Sequence, residues 1–371
     1  MSARVLESPR PLLVATGARP DRRIPSLDGL RAVSIALVVL GHLCGTSGFA
    51  LPGSFANTLA LGELGVGVFF VISGFLITKL LLEEAEGTGR ISLLRFYLRR
   101  TFRIFPPYYA FILVLIVLDA ARWITLSSGD LVHTLTYTAN YHAGRSWNVG
   151  HAWSLSVEEQ FYLLWPPVLL VLGRWGGLRV ALAFIAAAPL VRLGLWTLVP
   201  AARDTVGVSF ETVADAIAIG CVLALGREWL HRQPRYRQLL RSRWLILAPV
   251  VALLAGLLAE LPRLDFLFGF TLRNVCIGLC IDWCVTYPTG RVGRILNSRP
   301  LVFVGVISYS IYLWQQLFLN RHVVAAPTSF PLNLALVVLA ALASYYVVER
   351  PTLRLRQRIE VRLFAGRRPN G

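Results

Sequence analysis

Charge is what this sequence has least of. Asp, Glu, Lys and Arg together make up 15% of its 371 residues, while 56% are apolar. Soluble domains typically carry about 25% charged and about 45–50% apolar residues, so an ordinary soluble globule is excluded. Lysine is almost missing: Lys79 stands alone among 36 arginines, a compositional bias that carries no mechanism. Cys44, Cys221, Cys276, Cys280 and Cys284 all fall in apolar stretches, which implies no disulfide framework. The net charge of +17 does not mark a nucleic-acid-binding surface, because the basic residues sit between apolar runs. Residues 1–25, rich in Arg and Pro, lack the apolar core and small-residue cleavage site of a leader. An uncleaved first span is expected.

What the sequence does have is apolar length. Ten stretches stand out, at roughly 27–47, 60–82, 105–125, 153–173, 178–199, 210–230, 243–260, 266–287, 300–320 and 330–348. Each is long enough to cross a bilayer core of about 30 Å as a helix. The expected fold class is therefore an all-α, multi-pass membrane protein of ten transmembrane helices, placed in the plasma (inner) membrane. Pro106, Pro107 and Pro300 are expected at the first turn of their helices, where a missing N–H costs little.

Arginine placement gives the orientation, since positive charge in short loops marks the cytoplasmic side. With both termini cytoplasmic, 28 arginines fall in cytoplasmic segments, whereas the external loops hold only Arg145, Arg203, Arg263 and Arg321. An eleventh span at 129–142 would destroy that asymmetry. The expected organisation is a mobile cytoplasmic tail (1–25), a ten-helix membrane domain (26–350) and a basic cytoplasmic tail (351–371). Residues 90–103 alternate apolar and basic positions, as a helix lying in the inner interface does. No inverted repeat and no appended soluble domain is evident.

A charge within the membrane costs roughly 2.5–3.5 kcal/mol on insertion scales, so each is a functional candidate. Arg31 and His42 lie in LDGLRAVSIALVVLGH (27–42), on one helix face and about 16 Å apart. His42 is either a proton-transfer group or a core histidine bonded to a carbonyl. Glu158 and Glu159, in HAWSLSVEEQFYLLWPP (151–167), lie at a comparable depth. One of them could orient His42, as the carboxylate of a catalytic triad does, or could merely cap its helix. Arg100 and Arg103, in RRTFRIFPP (99–107), suit phosphate recognition or are simply positive-inside residues. The Ser73-Gly74 pair of GVFFVISGFLIT (67–78) allows either close helix approach or room for a slender substrate arm. Asp215 is expected to pair with Arg192 or Arg273. Cys276, Cys280 and Cys284 lack zinc-site spacing, so no metal is expected. His133, His142, His231 and His322 give no specific signal.

These segments, with ETVADAIAIG (211–220), ISYSIYLWQQ (307–316) and VERPTLR (348–354), resemble in their order the acyltransferase 3 family of integral-membrane acyltransferases. The resemblance covers about residues 24–355. It implies transfer of an acyl group, commonly acetyl from acyl-CoA, to a hydroxyl of a carbohydrate or other small acceptor. It further implies roles for Arg31 and His42, for the arginine pair Arg100 and Arg103, and for Glu158 or Glu159. Members often carry His where this chain has Gln315, so a proton role there is lost, although an amide can still hydrogen-bond a substrate. The expected reaction has His42, oriented by one glutamate, as general base. The donor phosphates rest on Arg100 and Arg103, and the donor's arm runs past Ser73 and Gly74. Without an appended domain, a stand-alone transferase is expected. Acylation of a macrolide-type metabolite is the nearest alternative. A proton-coupled transporter using His42, Glu158 and Arg31 is the alternative from another class, and a structural scaffold leaves the buried charges unexplained.

Overall fold

In a computed structural model, residue 24 and residues 26–364 are described, and among them every regular element is a helix. That follows from the solvent: in hydrocarbon every backbone N–H and C=O must be paired within the chain, which a helix does by itself. Six helical stretches are long and apolar enough to cross a membrane: Leu61–Thr88, Leu93–Ala120, Trp147–Leu198, Arg243–Glu260, Pro262–Thr286 and Leu332–Phe364. A seventh arises if Arg299–Val306 and Ser308–Phe318, bent by 68°, count as one span.

The difference from ten has local causes. The first helix, α1 (Leu27–Leu43), has 17 residues, about 26 Å of rise against a core of about 30 Å. Two expected stretches merge within Trp147–Leu198, where Gly173, at φ 64° and ψ −171°, breaks the helix Ala152–Leu198. The stretch at 210–230 is helical as Phe210–Arg232 but carries Glu211, Asp215, Arg227 and Glu228, which dilute its apolar character. Residues 90–103 are not a separate surface helix either. Most of them form the first turns of Leu93–Ala120, which leaves Pro106 and Pro107 inside the helix instead of at its start. Each proline removes one intrahelical hydrogen bond there. Pro300 does stand at the start of its helix.

The core is organised around α2 (Leu61–Thr88), the most buried of the candidate spans. It packs on α1 and on the helix Phe210–Arg232 where side chains are small. A Cβ at Gly74 would come within 2.0 Å of the Ile217 carbonyl oxygen, and one at Gly220 within 2.1 Å of the Val71 carbonyl oxygen. Where α1 meets α2, the Ser34 hydroxyl donates to the Gly65 carbonyl at 2.5 Å. Asp215 accepts from Arg192 at 3.0 Å, with both side chains fully buried, while Arg273 pairs with Asp265 instead. This ion pair ties the helix Ala152–Leu198 to Phe210–Arg232.

The expected N-terminal tail lies outside the described residues apart from residue 24, as do residues 365–371. Part of the expected C-terminal tail forms the helix Arg350–Phe364. Its Glu360 accepts from the Nε atoms of both Arg95 and Arg99 at 2.8 Å, which clasps that helix to the start of Leu93–Ala120.

Candidate active site

Two chambers open along α1, one near each end. The narrower, of about 80 Å³, is lined by Arg31, Ser73, Arg100, Arg103, Glu158, Glu159, Tyr162 and Tyr309. The wider, of about 440 Å³, is lined by His42, Glu63, Arg145, Trp147, His151, Gln316 and His322. Val66 and Tyr312 line both, so these two side chains stand between the chambers. Helix α1 contributes Arg31 to one chamber and His42 to the other. Their spacing of 11 residues makes three turns, so both side chains leave the same face, about 16 Å apart.

In the arginine chamber, the Ser73 hydroxyl donates to Glu158 Oε1 at 2.5 Å, and the Tyr162 hydroxyl donates to Ser73 Oγ at 3.3 Å. The Arg100 guanidinium lies over the Tyr162 ring, 4.8 Å from its centroid, a favourable cation–π placement. Arg31 pairs with Asp28 at 3.6 Å, whereas among the described residues Arg100 and Arg103 come within salt-bridge distance of no carboxylate, although Glu158 is near both. Glu159 Oε1 has no hydrogen-bond partner. Arg31, Arg100, Arg103, Ser73 and both glutamates, singled out separately from the sequence, thus meet in one place. Gly74 does not join them. The space its missing side chain would fill belongs to the Ile217 backbone, so it is a packing residue.

The histidine chamber departs from expectation. His42 Nδ1 lies 2.8 Å from Gln315 Oε1, so its ring is held by an amide and not by Glu158 or Glu159. Both glutamates lie in the other chamber. A carbonyl oxygen only accepts, so Nδ1 is the N–H donor and Nε2 keeps a free lone pair. The Trp147 ring stands edge-on to His42 at 5.6 Å. Trp147 is fixed in turn by Gln316: its indole N–H donates to the Gln316 carbonyl at 2.9 Å, and Gln316 Nε2 donates to the Trp147 carbonyl at 2.6 Å. Arg321 lies over the Trp147 ring and donates to the Gly41 carbonyl at 3.0 Å.

Sequence reasoning missed Gln315 as the partner of His42, and it missed Trp147 and His151 altogether. Position 315 did carry a signal, because a polar amide inside an apolar stretch needs a partner. His151 stood at the head of a quoted motif, but its depth and surroundings depend on which helices are neighbours. Among the described residues, no group of three or more His, Cys, Asp or Glu side chains could hold a metal ion.

Residues 24–349 match a family described as an acyltransferase domain. The chain is 28% identical over 365 residues to YrhL of Bacillus subtilis (strain 168), named as a candidate peptidoglycan O-acetyltransferase; the match covers 89% of this chain and 55% of the relative. It is 30% identical over 362 residues to a candidate O-acetyltransferase of Staphylococcus aureus (strain COL), with 89% and 57% covered. With the peptidoglycan O-acetyltransferase OatA of Listeria monocytogenes it shares 28% identity over 319 residues, covering 78% and 48%. The chain therefore spans about half the length of the curated relatives it matches. No solved structure matches it.

Proposed function

The chain belongs to the acyltransferase 3 family, and from that premise we propose that it is a membrane O-acyltransferase. In this reading it moves an acetyl group from cytoplasmic acetyl-CoA to a hydroxyl of a cell-surface or exported carbohydrate. The observation that carries the reading is the pair of neighbouring chambers that share Val66 and Tyr312, one basic and narrow, the other roomy and holding His42. A thin acyl-thioester arm suits the first, and a sugar suits the second. The names of the relatives favour a cell-wall glycan as acceptor.

The proposed chemistry uses groups already in position. Arg100 and Arg103 take the donor's phosphates together with Arg31. Ser73, held by Glu158, lines the path of the arm. His42 Nε2 accepts the proton of the acceptor hydroxyl as its oxygen attacks the thioester carbonyl. A C–O bond forms, the C–S bond breaks, and the imidazolium returns the proton to the departing thiolate. Gln315 keeps Nδ1 as the donor throughout, the orienting part that an aspartate plays in a triad. In the same reading the ten apolar stretches cross the plasma (inner) membrane, with both termini cytoplasmic, as the arginine asymmetry favours.

The test is transfer of radiolabelled acetyl from acetyl-CoA to a soluble peptidoglycan oligosaccharide by purified protein. The wild type should transfer label, and His42→Ala should lose about 10²–10⁴-fold of that activity while remaining folded. Near-normal turnover in His42→Ala would leave a structural histidine and sink the mechanism.

A further inference from the structure

His151 is the most anomalous polar side chain in the molecule. It stands at the head of the helix Ala152–Leu198 and is 3% exposed. Among the described residues the Gln316 side chain and the Leu313 backbone are placed to accept from the ring, but neither contact reaches the geometry of an ordinary hydrogen bond. Buried polar groups are almost always well paired, so a buried ring left with such loose contacts calls for a better partner. The ring cannot swing away to find one within the protein. Phe111 and Tyr312 pack against it, each with its ring centroid 5.5 Å away.

These atoms are not isolated. His151 and Gln316 line the same chamber as His42, and among the described residues Gln316 Oε1 likewise makes no hydrogen bond of ordinary geometry. The other end of that amide is committed to the Trp147 carbonyl, so Oε1 is fixed as an acceptor. Gly150 makes room for the amide, since a Cβ there would come within 2.6 Å of Gln316 Nε2. A neutral imidazole offers one donor and one acceptor. The chamber thus presents one loosely held donor and two loosely held acceptors beside the proposed base, in a volume of about 440 Å³. Small-molecule sites span about 300–1,000 Å³.

Resting on the O-acyltransferase reading, we infer that His151 and Gln316 form the subsite that binds the acceptor, and that the subsite selects a polyol over a simple alcohol. A lone hydroxyl donates once, so it leaves at least one of the two acceptors empty. Adjacent hydroxyls on a sugar ring can fill all three positions and place one oxygen at His42 Nε2. His151 is a binding and specificity residue here, and His42 remains the base.

The experiment uses the full chain in detergent with acetyl-CoA as donor, and compares a soluble peptidoglycan oligosaccharide with 1-propanol as acceptors. His151→Phe keeps an aromatic ring between Phe111 and Tyr312 and removes both nitrogens. The ratio of kcat/KM for oligosaccharide over 1-propanol should fall about 10- to 100-fold, the scale of losing hydrogen bonds to a buried site. The fall should appear mainly in the oligosaccharide KM. His151→Asn, which keeps a donor and an acceptor, should recover part of the ratio. An unchanged ratio in folded His151→Phe overturns the inference, because a merely structural residue would depress both acceptors alike. Should the Phe variant fail to fold, His151→Asn decides by the same ratio, with a selective fall supporting the subsite and a parallel fall overturning it. A wild type that turns over acetyl-CoA with neither acceptor nor water overturns the acyltransferase reading itself, and the two failures are thereby told apart.

Discussion

An imidazole acts as a base only through a nitrogen whose lone pair is free, and its neighbours decide which one that is. For His42 the decision rests on Gln315, 2.8 Å from Nδ1 and fully buried. Gln315→Leu should therefore cut kcat about 10- to 100-fold, with the acceptor KM nearly unchanged, because the ring loses its tautomer and orientation rather than its contact with substrate. Gln315→Glu, which still accepts from Nδ1, should keep most of the rate in the same assay. A Leu variant with full kcat would show that the amide does not orient the base. At the other end of α1, Arg100→Ala and Arg103→Ala should each weaken acetyl-CoA binding by about 1.5–3 kcal/mol. Equilibrium binding of the donor measures this directly, and unchanged affinity in the double variant would return both to the role of positive-inside arginines. The residues of the arginine chamber were legible in the sequence because intramembrane charge is conspicuous. The pairing of His42 with a glutamate was not, and the reason is geometric. Helical rise fixes spacing along one helix, but it does not say how deep that helix begins or which helix it faces. Glu158 and Glu159 were expected at the depth of His42 and instead line the chamber at the other end of α1.

At the level of the helix, small residues set how closely the elements approach. The crossing of α2 with Phe210–Arg232 brings Gly74 against the Ile217 carbonyl and Gly220 against the Val71 carbonyl. Backbone, unlike a side-chain tip, cannot step aside, so Gly74→Ala and Gly220→Ala should force the helices apart. Overpacking commonly costs about 1–3 kcal/mol, and these approaches lie at the severe end. Reduced yield and a lower Tm of the detergent-solubilised protein should follow, while Gly62→Ala, with no atom near its missing Cβ, should behave as wild type. A Gly74→Ala protein of normal Tm but weakened donor affinity would instead restore Gly74 to the donor path. Each apolar stretch read from the sequence is helical, because a long apolar run has no other way to satisfy its backbone in lipid. The ends and breaks were less legible. Pro106 and Pro107 suggested a helix start, yet the basic turns before them carry on the same helix. The kink at Gly173 and the bend between Arg299–Val306 and Ser308–Phe318 depend on backbone conformation, which apolar periodicity does not report.

For the molecule as a whole, the proposed reaction demands that its two chambers face opposite compartments. A charged nucleotide donor would be met on one side and a glycan on the other, with Val66 and Tyr312 between them. The arginine asymmetry and the proposed donor site fit the same orientation, since Arg100 and Arg103 are themselves among the arginines that set it. Arg100 and Arg103 belong to the arginine-rich segment that follows α2, whereas Trp147 and Arg145 belong to a loop with few arginines. This agreement can be probed with single cysteines in a background freed of the five native ones. Ala143 lines the His42 chamber and is exposed, and Glu86 is exposed near the end of α2 that leads to the arginine segment. A membrane-impermeant maleimide added to intact cells should label Ala143→Cys and leave Glu86→Cys unlabelled until the membrane is opened. Labelling of Glu86→Cys from outside would invert the orientation. The base would then face the cytoplasm, and the acceptor would have to be an intracellular metabolite instead of an exported glycan.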